Sequence, residues 1–424
     1  MLRINKVFII TCFLIAQLSL LAQNNTNSPY TRYGYGVLAD RSFGAGRAMG
    51  GIGFGLRSSK QINPMNPASY NAVDSLTFIF DFGISGQLSW FDDGTNKQKN
   101  KNGNVEYIAF QFPVSPRLAL SAGILPYSFV GYDFNHVEKI GDEIFINNFN
   151  GKGGLNDIYA GLSIDIWKKR LSVGANVGYF FGTVTHSSAL SFSSSSALPI
   201  QKVQKIRVND LKLDFGLQYT HPLSKTENMV FGFIYSPSNK LNTTVYNSYV
   251  EGSSTTGAVE TIDTLSNSAF DIPASYGLGF SYVKQNRLTL GLDLLYEGWE
   301  DASFEDNSDV FSNRYRIAGG IEFIPAYMER SFFKRIRYRA GLHYGNSYQQ
   351  VNVKSAGLSD ADYKDYGASI GFGLPLIDNR SFLNLSFEYM RIKPQASSMI
   401  DEEYFKVTVN YTFNEQWFYK FRLK

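Results

Sequence analysis

The chain has 424 residues, including 34 Phe, 27 Tyr and 38 Gly, and only 18% are charged, against roughly 25% in soluble domains. Such apolar content excludes a disordered chain. With 40 basic residues against 37 acidic ones, a formal charge of +3, there is no basic surplus for gripping nucleic acid.

At the start, Arg3 and Lys6 precede the apolar run Val7 to Ala22, and the polar stretch Gln23 to Ser28 follows. This pattern predicts a secretory signal peptide over residues 1–23. Cys12, the single cysteine, lies midway along that run rather than at its end, which argues against a lipid anchor. Once exported, the chain is expected to hold no disulfide and no thiolate site, and to carry a formal charge near +1 (3 − 2). No later apolar run approaches the roughly 18 residues a membrane helix needs.

Residues 24–74 are rich in Gly, Asn, Ser and Pro and show no period. Two readings are open for them: a periplasmic leader, or a hatch that folds back into a lumen. The second is preferred, because small residues permit close backbone approach and a wide barrel needs filling.

From residue 75 to 424 the pattern alternates with period two. Leu76, Phe78, Phe80, Phe82 and Ile84 face away from Thr77, Ile79, Asp81, Gly83 and Ser85, and Leu288 to Tyr296 and Phe405 to Phe413 behave likewise. About 14 such segments start near residues 75, 103, 117, 155, 170, 203, 227, 272, 287, 312, 335, 363, 381 and 404. After even segments the connections are short, as in Val114-Ser115-Pro116 and Lys168-Lys169; after odd ones they are longer and polar, as in 92–102 and 135–154. Short periplasmic turns opposite longer outer loops predict an all-β fold, a transmembrane antiparallel barrel of about 14 strands in the bacterial outer membrane. The expected organisation is 1–23 signal peptide, 24–74 N-terminal hatch inside the barrel and 75–424 barrel.

Two stretches carry a likeness. RSFGAGRAMGGIGFG holds Gly46, Arg47 and Ala48, and NPMNPASYNAVDSLTF holds Asn66, Pro67 and Ala68 ahead of the first strand. Together with DIPASYGLGFSY further on, they resemble the FadL/TodX-type outer-membrane transporters of long-chain fatty acids and aromatic hydrocarbons. That resemblance implies passive uptake of hydrophobic or amphipathic small molecules, gated by the hatch, with sideways exit at a kinked third strand. Gly123 and Pro126 lie mid-way along strand three, and Pro cannot donate to a ladder; a functional gap and a harmless bulge are both open. The same elements are shared by PorV-type accessory subunits. The alternative is therefore a non-transporting member of a secretion or outer-membrane assembly complex, with proteins of that complex as partners. The other expected partners are outer-membrane lipid and a hydrophobic ligand, and the barrel is expected to be a monomer.

Catalytic chemistry finds no support. His136, His186, His221 and His343 lack ligand spacing, no G-x-S-x-G elbow occurs, and no metal, cofactor or enzymatic activity is expected. Asp81, Asp165, Lys212, Asp214, Asp293, Glu297, Arg337, Arg339, His343, Glu388 and Lys406 fall on inward faces. Mutual pairing explains them. Arg337 and Arg339, two apart and so on one face, form the candidate ligand-binding pair for a carboxylate, with Phe110, Phe112 or Phe180 as apolar lining.

Overall fold

The structure is a computed structural model that describes residues 26–193, 198–252, 259–266, 270–305, 311–326, 329–353, 358–376, 380–396 and 399–417. The expected signal peptide lies outside the described residues.

Fourteen antiparallel strands close into a barrel. In chain order they are β1 (Thr77–Asp92), β2 (Lys97–Pro113), β3 (Leu118–Ile140), β4 (Glu143–Trp167), β5 (Leu171–Phe192), β6 (Ile200–Pro222) and β7 (Glu227–Ser236). Then come β8 (Ser275–Lys284), β9 (Leu288–Glu297), β10 (Arg314–Phe323), β11 (Arg337–Asn346), β12 (Tyr363–Pro375), β13 (Phe382–Pro394) and β14 (Asp401–Gln416). The cylinder closes where β1 pairs with β14, from Thr77↔Gln416 to Asp92↔Asp401. Closure removes the free edges of the sheet, which is what strands surrounded by lipid require.

The outward rows are apolar, as the period-two pattern predicts. Leu290, Leu292 and Leu294 of β9, Leu211 and Leu213 of β6 and Ile317 and Ile321 of β10 are exposed, while Asp293, Asp214 and Glu322 on the opposite faces are buried. Phe110 and Phe112 also belong outside: they stack with Phe78 of β1 on the lipid-facing side, with Phe110–Phe78 centroids 6.3 Å apart. Only Phe180 of that trio is fully buried.

The wall is uneven. Strands β7 to β11 have 10 residues each, close to the 9–11 or so that cross a bilayer. Strands β3 to β6 have 23, 25, 22 and 23 and rise well above it. The expected long loop over 135–154 is instead a continuous ladder, Asn135↔Asn148 through Ile140↔Glu143. Above the membrane both sheet faces are wet, so no greasy alternation marks these residues as strand. Backbone pairing to a neighbour supplies the stabilisation instead.

Inside the cylinder lies the N-terminal segment, which has little regular structure: a short strand Val37–Leu38 and single helical turns at Gly44–Arg47 and Pro67–Ala72. A chain with few internal ladders must find partners elsewhere for its backbone groups, and the inward side chains provide them. The N–H groups of Gly53 and Phe54 donate to Asp293 (2.6 and 2.8 Å), and that of Gly50 donates to Ser369 (2.9 Å). Ser281 donates to the Gly55 carbonyl (2.8 Å) and Ser163 to that of Ala68 (3.1 Å). At Gly341 and Gly232 the wall has no side chain because a Cβ there would collide with the backbone of Met49–Gly50 and of Phe54.

Candidate functional site

The Gly46-Arg47-Ala48 element forms the turn that inserts Arg47 into the lumen. Arg47, 2% exposed, pairs with Glu106 of β2 at 3.0 Å, and Glu106 also takes Lys406 of β14 at 2.6 Å. A shift in the β1–β2 register after Gly83 turns both Glu106 and Tyr107 inward. Tyr107 stacks on Phe43, with ring centroids 3.5 Å apart, and its hydroxyl accepts from the Gly44 N–H at 3.0 Å. The Asn66-Pro67-Ala68 element is a capped turn: the Asn66 carbonyl oxygen accepts from the Ala68 N–H (3.1 Å), and its amide donates to the Phe54 carbonyl (2.8 Å).

Between this segment and the outer mouth lies a cavity of about 270 Å³. Its walls mix aromatic and aliphatic groups with charges, among them Tyr127, Arg41, Asp214, Arg314, Arg316 and Lys406. Each of these cations faces a carboxylate. Arg41 reaches Asp157 (3.1 Å) and Asp214 (3.2 Å), Arg314 reaches Glu297 (2.9 Å), and Arg316 reaches Asp40 (3.5 Å). Beside the cavity an aromatic cluster of Tyr35, Trp299, Phe311 and Tyr348 is buried, with Tyr348 in the cavity lining; Trp299 and Tyr348 are 4.3 Å apart, and Tyr348 donates to the Gly36 carbonyl at 2.6 Å.

Arg337 and Arg339 do not face this cavity. Both are buried and both hold Glu322 of β10, at 3.4 and 2.7 Å, and Arg339 also donates to Asn384 at 2.7 Å. An inward carboxylate on the neighbouring strand thus already pairs with both guanidinium groups. Glu322, Glu106, Asp157 and Asp40 escaped the sequence reading. A β-bulge resets the phase at Glu106, and Asp40 lies in a segment without a period.

Strand β3 separates from β2. The two pair only over six positions, Ile108–Pro113 with Ala119–Ile124. Gly123 sits where β3 touches the Ile108 carbonyl, and just beyond it the β3–β4 register shifts between Pro126 and Ser128. Further out, the N-terminal segment replaces β2 as the partner of β3: Val37↔Phe129, Leu38↔Ser128, and the Ala39 N–H donating to Tyr127 at 2.8 Å. Asn104, Tyr127 and Phe129 connect this split to the cavity.

A half-buried histidine and a fully buried glutamate sit on the outer rim, near the upper ends of β5 and β14. His186 accepts or donates at Tyr132 OH (2.7 Å), and burial, followed by Arg32, pushes its pKa down from 6.5 to about 4. Glu402 accepts from Ser28 at 2.7 Å, and burial pushes its pKa up from 4.5 to about 7. The signs oppose. The His186 contribution is complete above pH 6.5 and is lost as pH falls toward 4; that of Glu402 is complete below pH 4.5 and is lost as pH rises through 7. The two windows overlap, so the opposing contributions largely cancel in the parent and each shows when the other group is removed: hydrogen exchange of residues 26–33 and 128–133 is expected to rise as pH falls in Glu402→Gln and as pH rises in His186→Asn.

The sequence matches the family described as BamG over residues 3–424. No curated protein matches it. Among solved structures it is similar to the toluene transporter TodX of P. putida (TM-score 0.57, 14% identity, covering 90% of this chain and 100% of that one). It is also similar to a FadL homologue of Pseudomonas aeruginosa (0.55, 13%, 89% and 99%) and to the toluene transporter TbuX of Ralstonia pickettii (0.51, 15%, 88% and 98%). At such identities the likeness is one of fold. The barrel is an outer-membrane, multi-strand one, and no helix among the described residues is long and apolar enough to cross a membrane.

Proposed function

This chain belongs to the BamG family, and from that premise we propose that it is a non-transporting accessory subunit of a protein assembly in the outer membrane. The observation that carries this reading is how the interior is filled: the N-terminal segment is bound to the wall on many sides, and the buried Trp299 cluster packs beside the cavity, and in this reading the two act as seals. The cavity between the seals is poorly suited to an acid ligand. Its cations are already satisfied by carboxylates, and displacing a buried partner leaves an uncompensated charge. Affinity purification of the tagged full chain from its native membrane in mild detergent tests this reading. Stoichiometric partner proteins and a barrel silent in planar bilayers are expected. A solitary barrel that carries a labelled fatty acid or toluene into vesicles would overturn it.

The split between β2 and β3 favours a second reading, passive uptake of hydrophobic compounds. In this reading the split would serve as a sideways path from the cavity to lipid once Val37–Leu38 leaves β3, and the structural neighbours named above include toluene transporters. In that reading the N-terminal segment is a hatch whose hydrogen bonds to β3 must break before a ligand exits. Saturable uptake of toluene, lost when residues 37–39 are crosslinked to β3, would support it over the first.

A further inference from the structure

The connection between β10 and β11, 324–336, is the longest on the periplasmic side. It is firmly tied at its base: the Ile324 N–H donates to the Arg287 carbonyl (2.7 Å), and the Ala326 N–H donates to that of Lys334 (2.8 Å). It contains a single helical turn, α1 (Phe332–Arg335). Phe333 is 72% exposed, the highest value of any large apolar side chain among the described residues, and Phe332 beside it is also exposed. In water this pair would be unfavourable.

The position of α1 indicates what covers it. The Tyr338 hydroxyl donates to the Phe333 carbonyl at 3.2 Å. Tyr338 lies on the outward row of β11, which continues to Leu342 and Tyr344, and its ring meets outward-facing Phe372 of β12 at 5.9 Å. The turn therefore hangs on the lipid side of the wall, continuous with the apolar belt, rather than under the lumen. Around the two rings stand Arg330, Lys334 and Arg335 against one acid, Glu329, which takes Lys334 at 3.0 Å. Aromatic rings flanked by basic groups match the boundary between acyl chains and anionic headgroups.

We propose that α1 is a lipid-binding anchor. Phe332 and Phe333 enter the periplasmic-side leaflet of the outer membrane, and Arg330, Lys334 and Arg335 hold the phosphates of anionic phospholipid there. The consequence is a fixed rotational position and tilt of the barrel at this side, and a patch of anionic lipid recruited beside β10 and β11.

The test uses the full barrel with Phe333→Cys, in a Cys12→Ser background, carrying a nitroxide. It is placed in vesicles of phosphatidylethanolamine with phosphatidylglycerol, and in vesicles of phosphatidylcholine alone. Collisions with oxygen are expected to exceed those with a water-soluble nickel chelate. Native mass spectrometry should show phosphatidylglycerol retained in preference to phosphatidylcholine, with that preference reduced severalfold by Arg330→Gln, Lys334→Gln and Arg335→Gln together. Arg330 and Lys334 are exposed and Arg335 is half-buried, and an unchanged β-sheet circular dichroism spectrum verifies folding. A nitroxide fully open to the nickel chelate overturns the proposal. So does one shielded only after a periplasmic protein extract is added, which would make α1 a protein-docking knob. Equal retention of both lipids by the unsubstituted barrel also overturns it.

Discussion

Arg47→Ala is expected to destabilise the docked N-terminal segment by about 3–5 kcal/mol, the usual cost of breaking a buried pair from one side. The strand ladder should stay intact, because its hydrogen bonds do not involve Arg47. In the folded chain Arg47 neutralises Glu106 at 3.0 Å and donates to the Asp40 carbonyl at 2.9 Å. Without it Glu106 keeps Lys406 and the Ser85 hydroxyl, both on one carboxylate oxygen, and the other oxygen, buried, loses its partner. The expected readout is protease cleavage within residues 40–65 of the folded barrel in detergent, absent from the parent, with unchanged far-ultraviolet circular dichroism. Replacing the whole triad, Arg47→Met with Glu106→Met and Lys406→Met, should recover much of the loss, since none of the three charges is then left without its partner. Cleavage as strong in the triple variant as in the single one would argue that shape, rather than charge, fixes the segment.

Trp299→Ala acts at the other seal. Trp299 is fully buried and packs against Tyr348 (4.3 Å), Phe311 (5.3 Å) and Tyr35 (5.9 Å), while its indole N–H donates to Glu297 at 3.1 Å. Truncation removes the largest ring from this cluster and takes one donor from the Glu297 carboxylate, which keeps Arg314, at an expected cost of about 3–5 kcal/mol. The loss should fall on the loops around this cluster, so hydrogen exchange should rise in 34–36, 298–304 and 346–349 and leave β1 and β14 protected. The two seals share no partner, so their effects should add. Ion conductance in planar bilayers is expected only when both are broken, in Arg47→Ala with Trp299→Ala. Conductance from either single variant would show that the lumen has one barrier, and would weaken the accessory-subunit reading in favour of a channel.

The readings that succeeded and failed divide along a physical line. The strands β7 to β14 were placed within a few residues, because each residue there has lipid on one side and a wet, crowded lumen on the other. That contrast writes a period of two into the chain. Where the contrast vanishes the reading stops: β3 to β6 continue as ladder through 135–154, with solvent on both faces. Where a bulge intervenes the reading inverts. One extra residue puts Glu106 and Tyr107 on the same side and moves Phe110 and Phe112 out to the lipid. Pro126 was visible as a break, since a missing donor is a local property. That β2 parts from β3 there, and that Val37–Leu38 takes its place, was not.

What the sequence by itself determined is the kind of object: an exported chain whose alternating strands can satisfy their backbone in lipid only by closing on themselves. What only the tertiary structure decided is what the interior charges do. Arg337 and Arg339 share a face by spacing alone, but their engagement depends on Glu322 arriving across a strand pair, and Arg47 on Glu106 arriving from β2. Burial makes such charges depend wholly on their partners, and those partners come from distant parts of the chain, so no local pattern records them.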